Sequence, residues 1–387
     1  MGKWSILTLT ICLLIGWNYW TPFFFSSASF TLAGRPSLDF QGFYYYGKAW
    51  LAQENPYPMS GRPIVFLSPP TFFPFFGVFA LFDFSFASRL WMIASFSAFL
   101  VALVALALTL EGDRRYVYVS IAGLLFLTSH PLFLLFQLGQ NELLVASFAI
   151  LSLVSERMKH LFPSAILLSF ATLLKGPAGL VLIYFVIFHR DLSYLARFLV
   201  SSLVIVGASL LIVPLRLYAD YGATFLTDLS TSFASNWIQF MTELACIGGL
   251  VSFAIFSYWV SSKKLGFEEA AIRSDAMFVL NVLVMLLLGS GFAIYSYVWI
   301  ILPLALFLSS LIVKEVRIRY YLVIGFATCL LNSILSTSLI NYRVEFPFAV
   351  VGNLVLTIVL IAISIHPIII RKANGIIGVA EHQNDEQ

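Results

Sequence analysis

SLDFQGFYYYGKAWLAQENPYP, residues Ser37 to Pro58, is the most polar-aromatic stretch of a strongly apolar chain. Its apolar residues Phe40, Phe43, Tyr44, Gly47, Trp50 and Leu51 fall at i, i+3, i+4 and i+7, the spacing of an amphipathic helix. Asp39, Tyr46 and Gln53 share another face. Ser37 and Asp39 stand where a helix is capped, and Asn55-Pro56-Tyr57-Pro58 ends the pattern. The spacing predicts a helix lying flat at a membrane surface with a carboxylate at its start. Aromatic side chains suit that position because they join an apolar body to a polar tip.

The surrounding chain explains why a membrane is expected. Of 387 residues, 60% are hydrophobic and 11% charged, against about 25% charged in soluble domains. A net charge of +3 gives no basis for a nucleic-acid partner. Cys12, Cys246 and Cys329 lie far apart in apolar runs, and the five histidines are dispersed. Neither set has metal-ligand or disulfide spacing, so no metal and no cofactor is expected. Residues 4–25 form a first apolar span. Ser27-Ala28-Ser29 after it reads as a cleavage site in a signal peptide, but the length of the run favours a retained anchor.

Further apolar runs fall near 64–82, 88–110, 116–136, 143–154, 161–174, 177–188, 195–215, 244–261, 276–290, 297–313, 321–340 and 347–370. A crossing helix needs about 20 residues, so 143–154, 161–174 and 177–188 are short. Basic residues orient the chain. Arg114-Arg115, Arg157 to Lys159, His189 to Arg197, Lys263 to Arg273, Lys314 to Arg319 and Arg371-Lys372 are expected on the cytoplasmic side. Pro69, Pro70 and Pro74 make 64–82 a broken segment that enters the membrane and returns. The reading is an all-α polytopic membrane bundle of about twelve crossings, one domain over 1–370. Its outer connections lie at 26–63 and 216–243, and a polar cytoplasmic tail follows at 371–387.

The unexplained polar residues collect in the segments assigned to the outer face. They are Asp39, Gln53 and Glu54; Gln137, Gln140, Asn141 and Glu142; Lys175; Arg216, Asp220, Asp228, Asn236, Gln239 and Glu243; and Tyr295, Arg343 and Glu345. Ionisable groups at membrane depth are costly and mark function by default. Lys175, between two short apolar runs, needs an anionic partner or a route for snorkelling to the interface. A neutral side chain in its place is expected to be tolerated. Helix capping is the competing explanation for Asp39 and for Gln140-Asn141-Glu142.

An Asp-Phe pair, a Tyr-Tyr pair, a small-residue helix and Asn-Pro-Tyr resemble the first outer loop of the DUF2029, or family 87, glycosyltransferases. Ser68-Pro69-Pro70, Gln137-Leu138-Gly139-Gln140-Asn141, Leu174-Lys175-Gly176-Pro177 and the Arg190 region continue the resemblance to about residue 190. Ser230 to Gln239 matches a Ser/Asn-rich outer loop passably. Farther on, the Pro and His of the family's late Ser-Pro…His-Tyr pattern are absent from Ser290 to Tyr297.

The resemblance implies a GT-C-like bundle in the cell (inner) membrane. It would move a hexose, of mannose type, from a polyprenyl-phosphate donor to a lipid or glycan acceptor on the extracytoplasmic side. Asp39 is then the general base, acting without an unusual pKa shift. Lys175, Arg216 and Arg343 are cations for the departing phosphate. Tyr45, Tyr46, Gln137, Gln140, Asn141, Glu142, Asn236 and Tyr297 are substrate contacts, and the aromatic 64–82 segment lines a path for the lipid tail. A single base without a nucleophile implies inversion. The alternatives are a transporter or flippase of lipid-linked sugar, which lacks support from any internal repeat, and a polysaccharide polymerase or ligase.

Overall fold

The computed structural model describes residues 38–57, 68–127, 138–235, 237–262, 267–288 and 298–313, with Ser129, Leu132, Leu135 and Phe136 between them. The expected spans 4–25, 321–340 and 347–370 and the tail 371–387 lie outside the described residues. The helices are α1 (Leu38–Leu51), α2 (Phe73–Ala80), α3 (Phe84–Leu108), α4 (Asp113–Leu127), α5 (Glu142–Arg157), α6 (Leu161–Leu174), α7 (Leu192–Ser209), α8 (Leu215–Ser235), α9 (Trp237–Ser261), α10 (Phe267–Leu288) and α11 (Ile301–Val313). Among the described residues there is no strand. The stretch 216–243, expected as an outer connection, is helical in α8 and again from Trp237.

Helix α1 forms where the apolar spacing puts it, but most of its apolar set faces protein, Leu51 stays exposed, and Tyr46 of the other face is buried as well. Phe40, Phe43, Tyr44, Tyr46 and Ala49 are all buried, while Gln41 and Lys48 are exposed. The partner is α2, and glycines set the closeness of approach. A methyl on Gly47 would stand 2.5 Å from the Phe76 carbonyl oxygen, and one on Gly77 would stand 2.7 Å from the Trp50 ring. Trp91 of α3 closes the layer, its ring centroid 5.5 Å from Phe40, 5.5 Å from Phe43 and 5.2 Å from Phe79. Such ring pairs contribute about 0.5–1.5 kcal/mol each beyond area burial.

Prolines shape what precedes α3. Pro70–Phe72 is a 3₁₀ turn and α2 has eight residues, about 12 Å at 1.5 Å per residue. Asp83 then caps α3 by accepting the Phe86 N–H at 3.1 Å. At 25 and 18 residues, α3 and α7 are long and apolar enough to cross a bilayer. Both expose apolar side chains at helical spacing: Ile93, Leu100, Val104 and Leu108 on one, Leu192, Leu195, Leu199 and Leu203 on the other. Apolar stripes of that size call for a lipid cover, and with the composition they point to a membrane protein.

The helix pair α5–α6 joins two polar ends of the structure. Glu142 begins α5 and Arg157 ends it, about 22 Å away by the helical rise. At the Arg157 end, Arg157 and Arg114 both pair with the buried Asp275 of α10, which also accepts from the Ser310 hydroxyl at 2.6 Å. His189 stands 3.4 Å from Glu156, and Arg273 donates to the Val260 carbonyl at 2.9 Å. Arg190 donates to Ser261 at 3.0 Å. Basic segments far apart in sequence thus meet at one end of the bundle.

Candidate active site

At the opposite end of α5 the chain makes a sharp turn. Leu135 accepts the N–H groups of both Gly139 (2.9 Å) and Gln140 (3.2 Å). Gly139 has φ +69°, a left-handed conformation that glycine adopts without a Cβ penalty. The indole N–H of Trp91 donates to the Gly139 carbonyl at 3.0 Å. Trp91 therefore touches Phe40, next to Asp39, and Gly139, next to Gln140. It holds the two segments in register.

Across that junction the side-chain amide of Gln140 donates to Asp39, linking residues 101 positions apart. Helix α1 begins at Leu38, so Asp39 lies inside its first turn, where the helix dipole favours a carboxylate. The expectation that Asp39 acts at an ordinary carboxylate pKa does not hold. Burial, the largest influence, raises it and the Glu142 charge adds to the rise, while the Gln140 hydrogen bond and the Lys175 charge act the other way. A carboxylate raised in this way is a stronger base.

Lys175 pairs with Glu142, whose side chain is 0% exposed. Each charge sits at a helix end of suitable sign, Glu142 in the first turn of α5 and Lys175 at the C-cap of α6. The sequence left Lys175 between an anionic partner and snorkelling, and the structure supplies an internal carboxylate. The pair argues against the expectation that a neutral residue is tolerated at 175. Removing the ammonium breaks an ion pair whose carboxylate is fully buried, which costs about 3–5 kcal/mol in comparable pairs.

After Lys175 the chain continues as a 3₁₀ segment, Gly176–Val181, and a π-helical turn, Ile183–Phe188, so the short apolar run of 177–188 is two irregular pieces. Asn141 is buried and occupies the N-cap position of α5, but its side chain makes no capping bond. Tyr45 is half-buried on α1. Tyr46 is fully buried, its ring stacked 5.1 Å from Phe73 and tilted 5.9 Å from Tyr57. It anchors α1 rather than faces a cleft, in contrast to the expectation of substrate contact.

Arg216 does not join Lys175. It lies at the far end of α1, lining a cavity with Trp50, Gln53, Glu54 and Asn55; Asp39 and Leu51 are about 18 Å apart along the helix axis. Gln137, Asn236, Tyr297 and Arg343 lie outside the described residues. Sequence reasoning passed over Trp91 and Gly139, the residues that orient Gln140. The Gly139 turn was legible as an interruption between apolar runs, whereas nothing in the sequence distinguishes Trp91 from the other tryptophans.

Beside this cluster runs an apolar groove of about 560 Å³, lined by Phe72, Phe75, Phe148, Phe170, Leu144 and Leu174 among others. Leu174 precedes Lys175, and Leu144 lies two residues after Glu142. Among the described residues no group of three or more His, Cys, Asp or Glu is arranged to hold a metal ion.

Comparison with known proteins gives one family. No curated protein matches the chain. The model of glycosyltransferase family 87 matches residues 66–313, well over half of the chain, a range that takes in Gln140, Glu142 and Lys175 and begins after Asp39. On that match, the chain belongs to glycosyltransferase family 87.

Proposed function

We propose that this glycosyltransferase moves a hexose, of mannose type, from a polyprenyl-phosphate donor to an acceptor hydroxyl on the extracytoplasmic side of the membrane, with inversion. The observation that carries the reading is one cluster: a half-buried carboxylate, Asp39, held by Gln140, beside the Lys175–Glu142 pair and next to an apolar groove. Asp39 takes the proton from the acceptor hydroxyl. The oxygen attacks the anomeric carbon from the face opposite the phosphate, and the polyprenyl phosphate leaves with the bonding electron pair. Lys175 supplies a cation for the charge that develops on it, and Arg343 is proposed as a second. The phenylalanine-lined groove takes the first part of the lipid tail.

The polar constellation and the basic cluster lie at opposite ends of α5 and α6. This supports placing the reaction away from the cytoplasm by the positive-inside rule. The bundle is proposed to have about twelve crossings, with the Pro70–Ala80 segment re-entrant.

The test is Asp39→Asn in purified protein supplied with polyprenyl-phosphate mannose. Loss of a positioned base costs about 10²–10⁴-fold in rate, and donor binding is expected to survive. Near-normal transfer by this variant would remove Asp39 from the mechanism.

A further inference from the structure

The cavity at the other end of α1 has no part in the chemistry above. Its volume is about 680 Å³, and it is lined by Trp50, Gln53, Glu54, Asn55, Arg216 and Leu217 among others. That volume is typical of small-molecule sites, about 300–1,000 Å³.

The walls are built with care. Helix α1 ends in a double turn: the Glu54 N–H reaches the Ala49 carbonyl at 2.8 Å and the Gln53 N–H reaches Trp50 at 3.1 Å. This termination places its penultimate residue in the left-handed region, usually as glycine. Here it is Gln53 at φ +57°. A non-glycine residue held there is strained, and its long amide side chain lines the cavity. Asn55 is fixed by donating to Asp220 at 2.8 Å, and Asp220 in turn faces Arg216 at 3.7 Å. Trp50 lies against Gly77, so its indole is set in place from behind.

The lining joins a tryptophan, two amides, a carboxylate and a largely exposed guanidinium to the apolar Leu51, Ile212 and Pro214, a mixture that can pack on the C–H face of a pyranose and pair with its hydroxyls as both donors and acceptors. Glu54, Arg216 and the adjoining Asp220 sum to −1 when ionised, which disfavours a phosphate. We propose that this cavity is a glycan subsite holding a neutral sugar unit of the acceptor remote from the reacting hydroxyl. The inference rests on the reading that transfer occurs at Asp39. About 18 Å of helix separates the two points, a span that an oligosaccharide bridges and a monosaccharide does not. The acceptor class is therefore an extended glycan.

The experiment uses the full chain in lipid nanodiscs, with manno-, gluco- and galacto-configured trisaccharides and the matching methyl monosaccharides as probes, read by saturation-transfer NMR. At least one trisaccharide is expected to bind about tenfold more tightly than its monosaccharide. Glu54→Gln and Asn55→Ala, both at exposed positions, are each expected to weaken it by about tenfold, the size of one hydrogen bond to a charged or well-held group. Trp50→Leu is expected to weaken it too. If no trisaccharide binds, or if only Trp50→Leu loses binding while the two exposed variants bind normally, the subsite is overturned. Asp39→Asn is expected to bind the trisaccharide as the wild type does. Wild-type turnover in that variant would sink the catalytic reading while leaving the binding result to stand by itself.

Discussion

Replacing Gln140 with leucine removes the hydrogen bond to Asp39 while keeping a side chain of similar bulk at a buried position. The bond favours the ionised carboxylate and so lowers a pKa that burial raises. Its loss pushes the pKa higher still. Hydrogen bonds to charged groups contribute about 1.5–3 kcal/mol, most of which the protonated acid does not share. At a pH where Asp39 is mostly protonated, the reactive ionised fraction then falls by about 10- to 100-fold. The assay is transfer of labelled hexose from the polyprenyl-phosphate donor, followed as kcat/KM across the acid range. In Gln140→Leu the acid limb is expected to move toward higher pH, with the rate recovering on the alkaline side. Asp39→Asn, as the control, is expected to show no such limb. An acid limb unmoved by Gln140→Leu would refute the assignment of that bond, and of Asp39, to proton transfer.

The raised Asp39 pKa also has a consequence for stability. A group that holds its proton more tightly when folded contributes stability that is present below its unfolded pKa and lost as pH rises through the folded one. Asp39→Asn is therefore expected to melt higher than the wild type at neutral pH, with the gap closing on acidification, in thermal unfolding followed in detergent. Lys175→Met is expected to lose about 3–5 kcal/mol because it breaks the pair with the fully buried Glu142 carboxylate. Lys175→Met with Glu142→Leu is expected to recover most of that loss by the same measurement, with donor binding still impaired. Gly139→Ala, at φ +69°, is expected to cost about 1–2 kcal/mol and to slow transfer by turning Gln140 away. Retention of full activity would separate the turn from the site.

Gln140, Glu142 and Lys175 were legible as candidates because they interrupt apolar runs, where polar groups are expensive, and Asp39 was legible as a carboxylate at the start of an amphipathic pattern. Their pairing was not legible. Contacts across 101 and 33 residues depend on helix packing that no local pattern encodes. Helix α1 was legible, but its buried face was not: Tyr46, grouped with the polar positions, is buried and Leu51 of the apolar set is exposed, and the period does not say whether lipid or α2 covers it. Gly47 and Gly77 decide that by letting two helices approach to near contact. At the other end, Arg114 and Arg157 were read as topology markers. Their meeting at Asp275 became visible only in three dimensions, because charge placement orients a chain without saying which charges touch. Arg216 was grouped with Lys175 for want of any distance between them.

Helix α5 carries an ion pair at each end, Glu142 with Lys175 and Arg157 with Asp275. In the proposed bundle of about twelve crossings these pairs would act as stoppers. Sliding the helix toward either face would drag a carboxylate or a guanidinium into hydrocarbon, at about 2.5–3.5 kcal/mol per charge on insertion scales. In that arrangement the depth of the cluster around Asp39 would be set by the protein and not by the lipid. A thicker or thinner membrane would have to deform around the bundle, carrying the headgroups of its lipids to a level that the buried α5 has fixed.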